Sequence, residues 1–137
     1  MRRSLTEART IAVVGLSDKA ERDSNEVARY LQARGYRIVP VNPLLTEVLG
    51  ERSYPDLDSI PPELAIDLVD IFRRGDQVPP IVEAAIRRRA KSVWMQLGVE
   101  NPAAAEEARR AGLLVFENRC TMAAHRLLGL GPVGERR

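Results

Sequence analysis

The chain has 137 residues, of which 45% are hydrophobic and 29% charged; this suits one domain with one core and excludes a disordered chain. A net charge of +2, with no basic run interleaved by aromatics, argues against nucleic acid, while one cysteine and one histidine supply neither an internal disulfide nor a zinc ligand set. No apolar run nears the roughly 18 residues that span a bilayer, and Met1 to Arg9 lacks the apolar stretch of a signal peptide, so a cytoplasmic protein is expected.

In chain order, a brief helix is expected at Ser4 to Arg9, followed by an apolar strand at Thr10 to Gly15 (TIAVVG). A helix follows in which Val27, Tyr30 and Leu31 fall at i, i+3 and i+4, with Asp23 or Ser24 as its cap and Gly35 as its stop. Tyr36 to Val41 reads as the second strand. Leu44 to Pro62 is rich in turn formers and reads as an edge segment with a short strand near Ser53 and Tyr54. Ala65 to Phe72 is the third strand, and Pro79 and Pro80 suit the first turn of a helix carrying Ile81, Val82, Ala85 and Ile86. Lys91 to Gln96 is the fourth strand. Asn101 and Pro102 then form the cap and first position of a helix ending at Gly112. Leu113 to Phe116 is the fifth strand, Met122 to Leu128 a closing helix, and Gly129 to Arg137 a frayed tail. Strands alternating with helices predict an α/β fold: a three-layer, Rossmann-like, doubly wound, mainly parallel five-stranded sheet with helices on both faces.

Right-handed crossovers favour a central first strand, with ligands bound beyond the strands' carboxyl ends where the winding reverses. That places Gly15 to Asn25, Asn42 and Pro43, Phe72 to Arg74, Gln96 to Gly98 and Asn118 to Cys120 around one cleft. The loop after the first strand leads into a helix N-terminus, which favours an anion. It is not a dinucleotide fingerprint, because Ser17 and Ala20 stand where the second and third glycines belong. Nor does the second strand end on an acid for a ribose; it ends Val39-Pro40-Val41-Asn42-Pro43. Lys19, Arg22, Arg73 and Arg74 instead suit a ligand with a pyrophosphate and a further phosphate. Asp18, Glu21 and Asp23 lie among these cations, as on an ordinary solvated face, and a tight turn wants glycine with or without a ligand.

The segments Ile11 to Pro43, Asp67 to Arg74 (DLVDIFRR), Val93 to Val99 (VWMQLGV) and Asn118 to Cys120 (NRC), in this order and spacing, resemble the CoA-binding domain family. Its members are small stand-alone bacterial proteins similar to the CoA-binding domain of the succinyl-CoA synthetase α subunit. The resemblance implies a site for coenzyme A or an acyl-CoA, with Gly15, Ser17, Lys19, Arg22 and Ser24 at the phosphates and Leu16 and Asn25 among the binding residues. It further implies Val41, Asn42 and Pro43 along the nucleotide, bordered by Phe72 and Arg73. Gln96 and Gly98 would flank the pantetheine arm, and Asn118 and Cys120 would stand across the cleft. The chain departs from the family pattern at Ala124 and Leu127, where a Glu and an Arg are usual. It also lacks the ligase subunit's domain with a phosphorylated histidine, which implies binding without the ligase reaction.

The sequence supplies no catalytic residue. Cys120 is placed to face the CoA sulfur and form a mixed disulfide, against the simpler reading of a small buried residue with no base to activate it. His125 has no acid at a fixed spacing and reads as packing. Asp67 and Asp70, three apart on a strand, fall on opposite faces rather than forming a catalytic pair. Trp94 reads as core. A response regulator would need paired acids after the first strand, which Val14 to Ser17 do not supply. The expected function is CoA or acyl-CoA binding without catalysis. A small NAD(P)- or CoA-dependent enzyme, and a partner subunit that senses acyl-CoA, are the alternatives, and a protein partner or a second copy of the chain stays open.

Overall fold

The computed structural model describes residues 1–133. In chain order the elements are α1 (Arg2–Glu7), β1 (Thr10–Val14), α2 (Asp23–Ala33), β2 (Arg37–Val41), β3 (Glu47–Val48), β4 (Glu51–Arg52) and β5 (Leu68–Ile71). They continue with α3 (Val78–Arg87), β6 (Ser92–Met95), α4 (Pro102–Arg110), β7 (Leu114–Phe116) and α5 (Thr121–Leu127). Five strands form one sheet in the order β2-β1-β5-β6-β7, and every neighbouring pair is parallel. The predicted doubly wound α/β fold is present. The chain leaves β1 for β2 on one side and returns past β1 to β5 on the other, so the switch point lies between β1 and β5.

Because strand side chains alternate between faces, the apolar runs split into two cores. Ala12, Val14, Val69, Ile71, Val93 and Met95 pack with Val82 of α3 and Ala105 of α4. Ile11, Val13, Leu68 and Trp94 pack on the other face with Leu5 of α1, Val27 and Leu31 of α2, and Ala124 of α5. Trp94 is wholly buried, and its indole N–H donates to Ser4 Oγ at 3.0 Å.

Helix α2 starts at Asp23 with Arg22 as its cap residue and no side-chain cap bond, so neither Asp23 nor Ser24 caps it. Burying one large aliphatic residue stabilises by about 1.5–3 kcal/mol, more than a typical cap, so Val27 and Leu31 anchor this helix. It stops as expected, with Gly35 at φ +94. Helix α4 is capped as its sequence predicts, Asn101 Oδ1 accepting from the Ala104 N–H at 3.0 Å.

Residues 44–62 hold more order than expected. β3 and β4 form an antiparallel hairpin, and Tyr54 makes a single parallel bridge to Val41. The bridge covers the outer edge of β2: Tyr54 N–H donates to the Pro40 carbonyl oxygen at 3.0 Å, and Asn42 N–H to the Tyr54 carbonyl oxygen at 2.9 Å. Proline fits β2 because its missing N–H falls on that edge. Arg88 holds the rest of the segment, its guanidinium donating to the carbonyl oxygens of Leu57, Ile60, Pro61 and Leu64.

The first helix runs Arg2–Glu7, earlier than predicted. The expected frayed tail is docked as far as the description reaches: Val133 N–H donates to the Arg34 carbonyl oxygen at 2.7 Å and its side chain lies on Gly35. The rest of that tail, 134–137, lies outside the described residues.

Candidate functional site

The loops that leave β1, β5 and β6 meet at the switch point. Gly15 ends β1 at φ +89, and its N–H donates to the Val41 carbonyl oxygen at 2.8 Å. A Cβ at residue 15 would run into the Phe72 carbonyl oxygen, so the fold itself requires glycine here whether or not a ligand lies above it.

The following loop is stitched from within. Ser17 N–H donates to Ser24 Oγ at 3.0 Å, Ser17 Oγ accepts from Lys19 N–H at 3.1 Å, and Asn25 Nδ2 donates to the Ser17 carbonyl oxygen at 2.8 Å. Asn42 Nδ2 donates to the Leu16 carbonyl oxygen at 3.0 Å. Ser17, Ser24, Asn25 and Asn42 thus shape the loop, while the Leu16 side chain is core. The shaped loop leaves the N–H groups of Asp23 and Ser24, which have no acceptor inside α2, at its mouth.

Three neighbouring hollows open along this edge. The first, about 510 Å³, is lined by Gly15, Ser17, Lys19, Arg22, Ser24 and Phe72, with Glu21 and Asp23 beside the cations. The second, also about 510 Å³, is bordered by Phe72, Arg73, Gln96, Gly98 and Cys120, together with Val27, Leu97, Val99 and Met122. The third, about 320 Å³, is lined by Val41, Pro43, Leu57, Arg73 and Ile81, and Pro55 and Pro80 add to its apolar wall. Phe72 joins the first hollow to the second, and Arg73 joins the second to the third.

The four expected cations do not converge. Lys19 and Arg22 line the first hollow; Arg73 borders the other two, and Arg74, paired with Asp76 at 3.4 Å, borders the second. At the rim of the third hollow, Arg87 Nη2 lies 2.7 Å from Asp58 Oδ2 and holds that carboxyl below its ordinary range. Asn118 lines none of the hollows; its backbone is left-handed, φ +54, and its Oδ1 accepts the Gly98 N–H at 2.7 Å. It positions the turn that carries Leu97 and Gly98.

Under the second hollow Gln96 joins a buried polar cluster whose other members, Asp70 and Thr121, are absent from the sequence-based site. Asp70, wholly buried, accepts from Thr121 Oγ1 at 2.8 Å and from Gln96 Nε2, which also reaches Thr121 Oγ1 at 3.1 Å. Burial pushes the Asp70 carboxyl up to about 7 against the opposing pull of these two hydrogen bonds. Asp67, by contrast, binds the Arg9 and Thr10 N–H groups at 2.9 Å each and ties β5 to β1 at the opposite end. His125 is buried, its Nδ1 2.8 Å from Tyr30 Oη, as a packing residue. Among the described residues no group of three or more His, Cys, Asp or Glu is placed to hold a metal ion, and no helix is long and apolar enough to cross a membrane.

Another hollow, about 420 Å³, lies between Asp67, Lys91 and Gly112 at the strands' amino ends. The carboxyl ends of α3 and α4 point there, and their dipoles oppose an anion. Arg3, Arg89 and Lys91 stand around this hollow with Glu7 and Asp67.

A family model described as "CoA binding domain" matches residues 9–126, from just before β1 to within α5. This chain belongs to the CoA binding domain family. It is 37% identical over 121 residues to the uncharacterized protein YneT of Bacillus subtilis (strain 168), a span covering 88% of each chain. A solved structure of a hypothetical protein from Pyrococcus horikoshii OT3 is 43% identical, with a TM-score of 0.89 over 94% of this chain and 89% of that one. The dinucleotide-forming acetyl-coenzyme A synthetase 1 of Ca. Korarchaeum cryptofilum shares the fold: 20% identity and a TM-score of 0.71, over 84% of this chain and 27% of that enzyme.

Within this CoA binding domain, sequence reasoning missed Asp70, Thr121 and Met122, and also Pro55, Leu57 and Ile81 of the third hollow. Met122, two residues beyond Cys120, was within reach of the same strand-end argument. The others come from β5, from the start of α5, from 55–57 and from α3, and no local pattern marks them.

Proposed function

We propose that this cytoplasmic protein binds coenzyme A or an acyl-CoA along the carboxyl edge of the sheet and carries out no reaction of its own. The reading rests chiefly on three adjacent hollows at the switch point, one polar and holding Lys19 and Arg22 beside Glu21 and Asp23, and two largely apolar, in a chain of the CoA binding domain family. Phosphates lie over the start of α2, with Lys19 and Arg22 as counter-charges and the loop N–H groups as donors. The adenine lies in the third hollow against Val41, Pro43, Leu57 and Ile81, which offer apolar surface. The pantetheine arm passes Phe72 into the second hollow, beside Gln96 and Cys120.

Thermal unfolding with CoA, acetyl-CoA, NAD, NADP and ATP in parallel tests this. A ligand at about 100 times its dissociation constant stabilises the fold by roughly 2.7 kcal/mol. CoA and acetyl-CoA are expected to raise the midpoint. Stabilisation by NAD or NADP alone would replace the proposal with a nicotinamide-dependent enzyme.

A further inference from the structure

The second hollow has a polar floor and an apolar far wall. At the floor, Gln96 is 3% exposed, and its amide nitrogen is drawn inward to Asp70 and Thr121. Its Oε1 is therefore the atom offered to the hollow, an acceptor suited to an amide N–H.

Beyond Gln96 the wall is Leu97, Val99, Cys120 and Met122. Leu97 is 68% exposed, on the turn that Asn118 holds through the Gly98 N–H, and it belongs to neither core cluster. A leucine held open at the mouth of a hollow with apolar walls is surface that a ligand's apolar end covers on binding. The charged rim is balanced: Asp23 and Glu26 stand against Arg73 and Arg74, and Arg74 already has Asp76. A carboxylate packed against the wall of Leu97, Val99, Cys120 and Met122 would give up water with no charged partner among those four side chains.

Granting the CoA-binding reading on which this rests, we propose that the bound species is an acyl thioester with an uncharged aliphatic acyl group, packed among Leu97, Val99, Cys120 and Met122, rather than free CoA. Each acyl methylene buried there strengthens binding by roughly three- to fourfold, until the hollow is filled.

Calorimetric titration of the whole protein with CoA, acetyl-CoA, butyryl-CoA, hexanoyl-CoA and succinyl-CoA decides it. Hexanoyl-CoA is expected to bind at least about tenfold tighter than CoA, and succinyl-CoA no tighter than butyryl-CoA of equal chain length. Leu97→Ser, at an exposed position outside both cores, is expected to shrink the hexanoyl-to-CoA affinity ratio several-fold. Measurable CoA binding with no gain from the acyl chain, a preference for succinyl over butyryl, or an unchanged ratio in Leu97→Ser would each overturn the acyl assignment. Failure of every CoA species to bind would instead overturn the CoA reading beneath it.

Discussion

Gly15 and Phe72 touch across the switch point: the backbone of Gly15, at φ +89, runs so close to the Phe72 carbonyl oxygen that a Cβ has no room. The contact locks the β1 loop to the β5 loop beside the first hollow, which both residues line. Gly15→Ala is therefore expected to lose about 1–3 kcal/mol through the left-handed angle and the clash together. Urea denaturation measures it; a loss within a few tenths of a kcal/mol would mean that the two loops can separate freely.

Lys19 and Arg22 stand over the first hollow without contributing to either core. The double variant Lys19→Ala, Arg22→Ala is expected to keep the unfolding midpoint of the free protein and to weaken CoA by roughly tenfold, about 1.4 kcal/mol. Comparison with dephospho-CoA places the third phosphate: equal losses for the two ligands would put it away from these side chains.

Asp70 makes stability depend on pH with a definite sign. Its carboxyl is raised by burial from 3.8 to about 7. Below about pH 4 it is protonated in both the folded and the unfolded chain. Between about 4 and 7 the unfolded chain gives up this proton while the folded chain keeps it, so stability falls as pH rises through that window and levels off above it. Asp70→Asn removes this contribution. Relative to the wild type, the variant gains on the order of a few kcal/mol between pH 4 and pH 7.5. Denaturation curves at both pH values check it, and a pH-independent difference would rule out a proton held on Asp70.

Arg88 joins the start of β6's preceding turn to 57–64 by donating to four carbonyl oxygens. Arg88→Ala is expected to cost about 2–4 kcal/mol, because the carbonyls of buried Leu57 and Ile60 and of half-buried Pro61 and Leu64 lose charged donors together. Arg88→Lys is expected to recover only part of it, since a point charge does not match the guanidinium fork. Full recovery by lysine, measured by chemical denaturation, would show that charge alone matters.

The strand and helix order and the parallel doubly wound sheet were legible along the chain, because each rests on short-range signals. Alternating apolar runs bury on two faces, Asn101 caps the helix that begins one residue later, and Gly35 accepts the backbone angle that ends α2. Such signals act within a few residues and survive whatever the chain packs against. The content of the site did not follow from them. Asp70 meets Gln96 and Thr121 across 26 and 51 positions, the Gly15–Phe72 contact joins separate strands, and Val133 closes on Arg34 from the far end of the chain. Whether an aspartate is solvated or buried, whether four cations converge, and whether a leucine beside a glycine is core or cleft wall depend on which elements become neighbours. Packing across the sheet settles that, and the order of residues along a strand carries no trace of it.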